Sequence, residues 1–148
     1  MGEATPPEAM ILICVAPFWI SSRMALRIAS TPSTTRAIAP ILGVQAQGSI
    51  SLGSYSEPEP DIALLHPRAD FYWSAHPRPD DILLIIEVAE SSLRFDREVK
   101  LPLYARHDVA EVWLVDVDSR RVVRHRAPAQ GRYALTDELD LRTPVEIG

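Results

Sequence analysis

The stretch DILLIIEVAESSLRFDREVK, residues 81–100, decides how this chain folds. Residues 81–89 are almost all apolar, with Glu87 the one acid near the end. Such a run suits a β-strand covered on both faces better than a surface strand of alternating polarity. A helix should follow, for which Ser91, Ser92 and Asp96 are candidate caps. Phe95, Val99 and Leu103 recur every four residues and predict one buried apolar stripe. Pro102 lacks a backbone donor, so the helix should kink or come in two parts. The stretch ends on Lys100, the only lysine in the chain, and the other fourteen strong bases are arginine.

Working outward, VQAQGSISL (44–52) alternates like a strand, and PDIALLH (60–66) is a short apolar run opened by Pro60 and Asp61. Between that run and the central one lies HPRADFYWSAHPRP (66–79), long for a simple hairpin. Downstream, EVWLVDV and RVVRHRA flank a turn at DSR and should form a hairpin, with one more short strand in GRYALTDELDLRTPVEIG. The order strand, strand, strand, helix, strand, strand implies an α/β (α+β) fold, a mixed sheet with helices packed on it.

The amino-terminal 1–43 is harder to read. Residues 10–20, MILICVAPFWI, are too short to span a bilayer and are broken by Pro17. Glu3 and Glu8 stand where a secretory signal would carry positive charge, so a core strand or an atypical amino terminus is the reading and a cytoplasmic location the default. SSRMALRIAS and TTRAIAPILG each carry a weak helical pattern, the second closed by Gly43. A chain of 148 residues is most simply one domain. Its single cysteine, Cys14, excludes an internal disulfide and a cysteine-based zinc site.

The net charge of −5 argues against indiscriminate nucleic-acid binding, yet its distribution is uneven. Five arginines (120, 121, 124, 126 and 132) and one histidine fall between Ser119 and Arg132 with no acid among them. A locally basic surface on an acidic protein suits a polyanion. An ordinary solvated hairpin would show the same pattern.

If the strands carrying Asp61 and Glu87 pair antiparallel, the start of one lies beside the end of the other and the two carboxylates meet. Buried together they need a cation. A hard divalent ion, Mg2+ with Mn2+ as the alternative, suits such a pair because it takes a few oxygen ligands and keeps its waters. Lys100, leaning in from the next helix, would complete a set in which a compact ammonium orients water or, its pKa lowered by burial, deprotonates it as the neutral amine. Each residue also has a plain structural reading: a strand start, a strand end, and a surface lysine pairing with Asp96 four residues away.

The wording SEPEPDIALL, then DDILLIIEVAESSLRFDREVKLPLYARHDVAEVWLVDV, resembles the Uma2 family (DUF820), a bacterial group of restriction-endonuclease-like proteins. The resemblance covers roughly residues 44–148, most specifically PEPD, EVAESSLRFDREVK, LYAR and EVWLVD. It implies the PD-(D/E)XK nuclease fold, with its metal site on the second and third core strands. Asp61 then matches the aspartate of the PD element and Glu87 the acid of the second element. Ala89 stands where that element has lysine, and Lys100 fits a position moved onto the helix. The Val88 carbonyl is a further implied metal ligand. The resemblance also implies magnesium-dependent cleavage of DNA, with Arg121, Arg124 and Arg126 as candidate phosphate contacts. Residues 1–43 fit the family pattern poorly. Two rival readings are a nuclease fold that binds DNA without cutting it and an assembly role, for example as a homodimer.

Overall fold

The computed structural model describes residues 12–15, 26–29, 43–89, 92–140 and 145–146. The chain divides into two compact units, Pro40–Asp140 and a smaller one made of Met1–Ala39 with Leu141–Gly148. In the smaller unit, β1 (Leu12–Val15) pairs antiparallel with both β2 (Leu26–Ala29) and β9 (Val145–Glu146). The expected first helix is therefore a strand over its described part. Leu26, Arg27 and Ile28 alternate apolar and polar, a pattern too short to decide against the weak helical one, and pairing with β1 makes the segment a strand. The expected second helix lies outside the described residues except for Gly43, which opens a strand.

The larger unit is built on a six-stranded mixed sheet. Its strands are β3 (Gly43–Ala46), β4 (Ile62–Leu65), β5 (Ile82–Ala89), β6 (Glu111–Asp116), β7 (Arg121–Ala129) and β8 (Arg132–Glu138), in that spatial order. Every neighbouring pair is antiparallel except β5 and β6. Parallel neighbours need a crossover. A helical run supplies it: α1 (Leu93–Phe95), a π turn (Asp96–Lys100) and α2 (Leu101–Arg106). The architecture is the α/β mixed sheet expected.

β5 is buried on both faces, with only Leu83 and Val88 part-exposed. Ala63, Leu65, Ile82, Ile85 and Val112 of the sheet pack with Ile50, Leu52, Val109 and the helix residue Tyr104 in one core. The segment read as one strand over 44–52 is not continuous. β3 ends at Ala46, Gln47 turns to φ 49°, and Ile50 and Leu52 then enter the core without strand pairing.

The helical run has the interruption that Pro102 predicts. Leu101 N–H bonds to the Asp96 carbonyl, a five-residue span that widens the turn, and Pro102, in the first turn of α2, has no donor of its own. The buried stripe, however, is not the one expected. Phe95 and Val99 are 55% and 46% exposed, whereas Asp96, Tyr104 and Ala105 are buried. The inward line is Asp96, Lys100 and Tyr104, also spaced by four but largely polar. Glu87 is the reason: a buried carboxylate on the sheet demands polar partners above it.

The β4–β5 connection folds on itself. His66 N–H bonds to the Asp81 carbonyl at 2.8 Å, and the Tyr72 hydroxyl donates to the His66 carbonyl at 2.7 Å. Arg68 pairs with Asp70 at 2.5 Å while lying over the Tyr72 ring, 4.2 Å from its centre. The hairpin β7–β8 turns through Gln130 (φ 52°) and Gly131 (φ 74°), and Ala129 faces Arg132. Two successive positive φ values make this a type I′ turn, whose twist matches that of the strands.

Candidate active site

β4 and β5 pair with Ile62 opposite Ile86 and Ala63 opposite Ile85. One step further along that register sets Asp61 opposite Glu87, and residues directly opposite share a face. Asp61 is part-buried and its Oδ2 accepts a hydrogen bond from Val88 N–H at 2.8 Å. A residue's N–H and C=O leave a strand on the same side, so the Val88 carbonyl is also directed toward β4 and Asp61.

Glu87 is buried, and the helical run grips both of its oxygens. Lys100 Nζ donates to Oε2 at 2.7 Å and the Tyr104 hydroxyl to Oε1 at 2.5 Å. Lys100 also lies 3.4 Å from Asp96 Oδ1, and Asp96 Oδ2 accepts from Ser92 Oγ at 2.7 Å. The structure thus brings Asp61, Glu87 and Lys100 to one end of the sheet. Asp96 and Tyr104 join them, two residues that sequence reasoning did not assign to the site. Their spacing from Lys100, four residues on either side, was the available signal. It was masked by the competing apolar series one position earlier.

Electrostatics follow from the burial. Desolvation pushes the Glu87 carboxyl above the usual range, and the nearby Asp61 charge adds to this. The hydrogen bonds from Lys100 and Tyr104 oppose it. Burial pulls the Lys100 amine down, but its bonds and charge interactions with Glu87 and Asp96 outweigh that and hold it above the ordinary lysine value. Lys100 is therefore firmly an ammonium. Of the expected roles, orienting groups and stabilising charge are the ones that suit an ammonium. Burial first, and the Glu87 charge second, keep the Tyr104 phenol protonated as a donor.

Among the described residues, no three His, Cys, Asp or Glu side chains form a ready metal cage. The donor set nevertheless suits a hard cation. Asp61 and Glu87 offer two carboxylates, and their oxygens have lone pairs beyond the hydrogen bonds they accept. Asp61, Glu87 and Asp96 against Lys100 leave two negative charges in excess. Magnesium typically takes one or two carboxylates and completes its shell with water and substrate phosphate.

The arginines do not join this cluster as a group. Through the pairs Glu87–Leu114 and Leu114–Val123, Glu87 shares a face with Val123, whereas Arg124 and Arg126 lie on the opposite face. Both contact Asp137, at 2.8 and 3.4 Å. Arg121 shares the Glu87 face through Ala89 and Asp116, and lies 3.6 Å from Glu138. Arg97 is a further cation near that face. After burial, its charge is the largest influence holding His125 below the ordinary histidine range.

The Uma2 family model, described as "Putative restriction endonuclease", matches residues 19–146. The chain belongs to the Uma2 family. Uma2 membership extends over both units of the chain and agrees with the mixed sheet and its helical crossover. Comparison with curated proteins gave no match. Among the described residues, no helix of this Uma2 chain is long and apolar enough to cross a membrane.

Proposed function

We propose that this Uma2 protein is a magnesium-dependent endonuclease that hydrolyses phosphodiester bonds of DNA. The observation that carries the reading is the meeting of Asp61 and Glu87 at adjacent strand ends with the Lys100 ammonium against Glu87. Asp61, Glu87 and the Val88 carbonyl would hold the ion. Bound there, Mg2+ or Mn2+ would polarise a phosphoryl oxygen and lower the pKa of a coordinated water. Lys100 supplies a fixed positive charge for the pentavalent transition state. Tyr104 keeps Glu87 in one orientation, so the carboxylate does not reorganise during the reaction. Arg121 and Arg97, on the Glu87 face, are the better-situated phosphate contacts. Arg124 and Arg126 would contact phosphate only on the opposite face.

A plasmid-nicking assay with Mg2+ or Mn2+ tests this. The parent should nick, and Asp61→Ala and Lys100→Ala should each lose about a hundredfold or more in rate. Equal cutting by these variants would refute the assignment. One observation favours a second reading, a nuclease fold that binds DNA without cutting: both Glu87 oxygens are already engaged by Lys100 and Tyr104. A parent that shifts DNA in a gel independently of metal, and never nicks it, supports that reading.

A further inference from the structure

Lys100 lies between two buried acids. Its Nζ is 2.7 Å from Glu87 Oε2 and 3.4 Å from Asp96 Oδ1. Asp96 is as well hidden as the core residues around it, at 3% exposure. Helix capping does not explain its burial, because Ser92 holds the capping position and makes no side-chain cap bond. Ser92 Oγ satisfies one Asp96 oxygen, and the other faces the Lys100 amine. The π turn matters here. It spans Asp96 to Lys100 and sets the two ends of one widened turn beside each other.

We propose that Asp96 is the second seat of the Lys100 ammonium. The inference rests on the metal-dependent reading above. When Glu87 engages a divalent cation, an ammonium on Oε2 would face it across one oxygen, and like charges repel at that range. Lys100 then shifts from Glu87 to Asp96, which is already within reach. Tyr104 remains on Oε1 and holds the carboxylate while its other partner leaves. Asp96 acts through Lys100 and is a positioning residue: it keeps the amine inside the site when Glu87 no longer can. Without it, the long stem would carry the charge out into water.

The single lysine makes this directly observable. With 15N-lysine labelling of the full chain, Lys100 gives the only Nζ signal, which can be followed during an Mg2+ titration with metal binding measured in parallel by calorimetry. In the parent, the Nζ resonance should shift as Mg2+ binds and remain protected from solvent exchange. In Asp96→Asn, which retains the side-chain shape and the Ser92 contact, the metal-free signal should persist. Exchange should then rise about tenfold or more once Mg2+ is bound. Asp96→Glu should restore protection. An unmoved Nζ signal in a parent that binds Mg2+, or equal protection in the metal-bound asparagine variant, overturns the hand-over. Absence of any Mg2+ or Mn2+ binding by the folded parent overturns the proposed function itself, and the hand-over with it.

Discussion

Replacing Lys100 by methionine keeps the stem and removes the charge that faces Glu87 and Asp96. Truncating one partner of a buried ion pair typically costs about 3–5 kcal/mol, because the other charge is left uncompensated. The Lys100 side chain retains 22% exposure while that of Glu87 is 2% exposed. Some of the lost charge can thus be replaced by water, and the lower end, about 3 kcal/mol at pH 8, is expected. The deficit should depend on pH in a defined direction. Glu87 already titrates above its ordinary value, and removing Lys100 takes away the main influence opposing burial. Its folded-state value then rises further above the unfolded one. Between the two, the folded state binds a proton that the unfolded state does not, so the variant loses stability as pH climbs through that window. Lys100 of the parent is charged in both states across this range and contributes no slope. The gap between parent and variant should therefore be smallest near pH 4.5 and widen toward pH 8, by about 1.4 kcal/mol for each unit that the Glu87 value rises. Urea unfolding at several pH values measures it. The double variant Glu87→Gln with Lys100→Met should recover a large part of the loss. A gap below about 1 kcal/mol at pH 8, or one that does not change with pH, would refute the view of Lys100 as the counter-charge of a buried acid.

Gly131→Ala should cost about 1–2 kcal/mol in thermal unfolding, since φ 74° is strained for an L side chain and the added Cβ would lie 2.8 Å from Arg106 Cγ; an unchanged melting temperature would contradict the turn assignment. Burial, followed by the charge of Arg97, holds His125 below its ordinary value, so its contribution to stability is present above about pH 6.5 and lost as pH falls toward the folded-state value. His125→Gln should flatten the stability profile between pH 7 and pH 5, and a slope identical to that of the parent would count against it.

The central strand was legible because an apolar run of that length, closed by a lone acid, fits a doubly covered strand and little else. The meeting of Asp61 and Glu87 was legible only on the condition that their strands pair antiparallel, as β4 and β5 do. The helix existed where it was expected, and Pro102 interrupted it, but its inward face was not the apolar one. Apolar periodicity finds the buried side of a helix only when the surface beneath is apolar, and here a carboxylate lies beneath. Asp96 and Tyr104 are therefore invisible to that pattern, while Phe95 and Val99 fit it. The arginines were legible as a cluster in sequence. Strand alternation then divided them between two faces, and acids on β8, far enough along the chain to look separate, sit against them. The segment SSRMALRIAS shows the limit of short patterns: four residues of alternation contain as much strand signal as helix signal, and only a pairing partner decides.

The β4–β5 connection carries a consequence for how this molecule can change. Asp61 and Glu87 stand at one pole of the β4–β5 hairpin, and residues 66–81 close the other. That closure is knit by Arg68, Asp70 and Tyr72, with Pro77 accepting from Ser51 N–H and Tyr72 packed on the core, and it takes no bond from Asp61 or Glu87. Lengthening, shortening or replacing the tip would leave strand register, and with it the meeting of the two carboxylates, to the paired residues between. The paired carboxylates and the loop tip thereby occupy opposite ends of a single hairpin, so that graft or insertion at one extremity need not disturb the other.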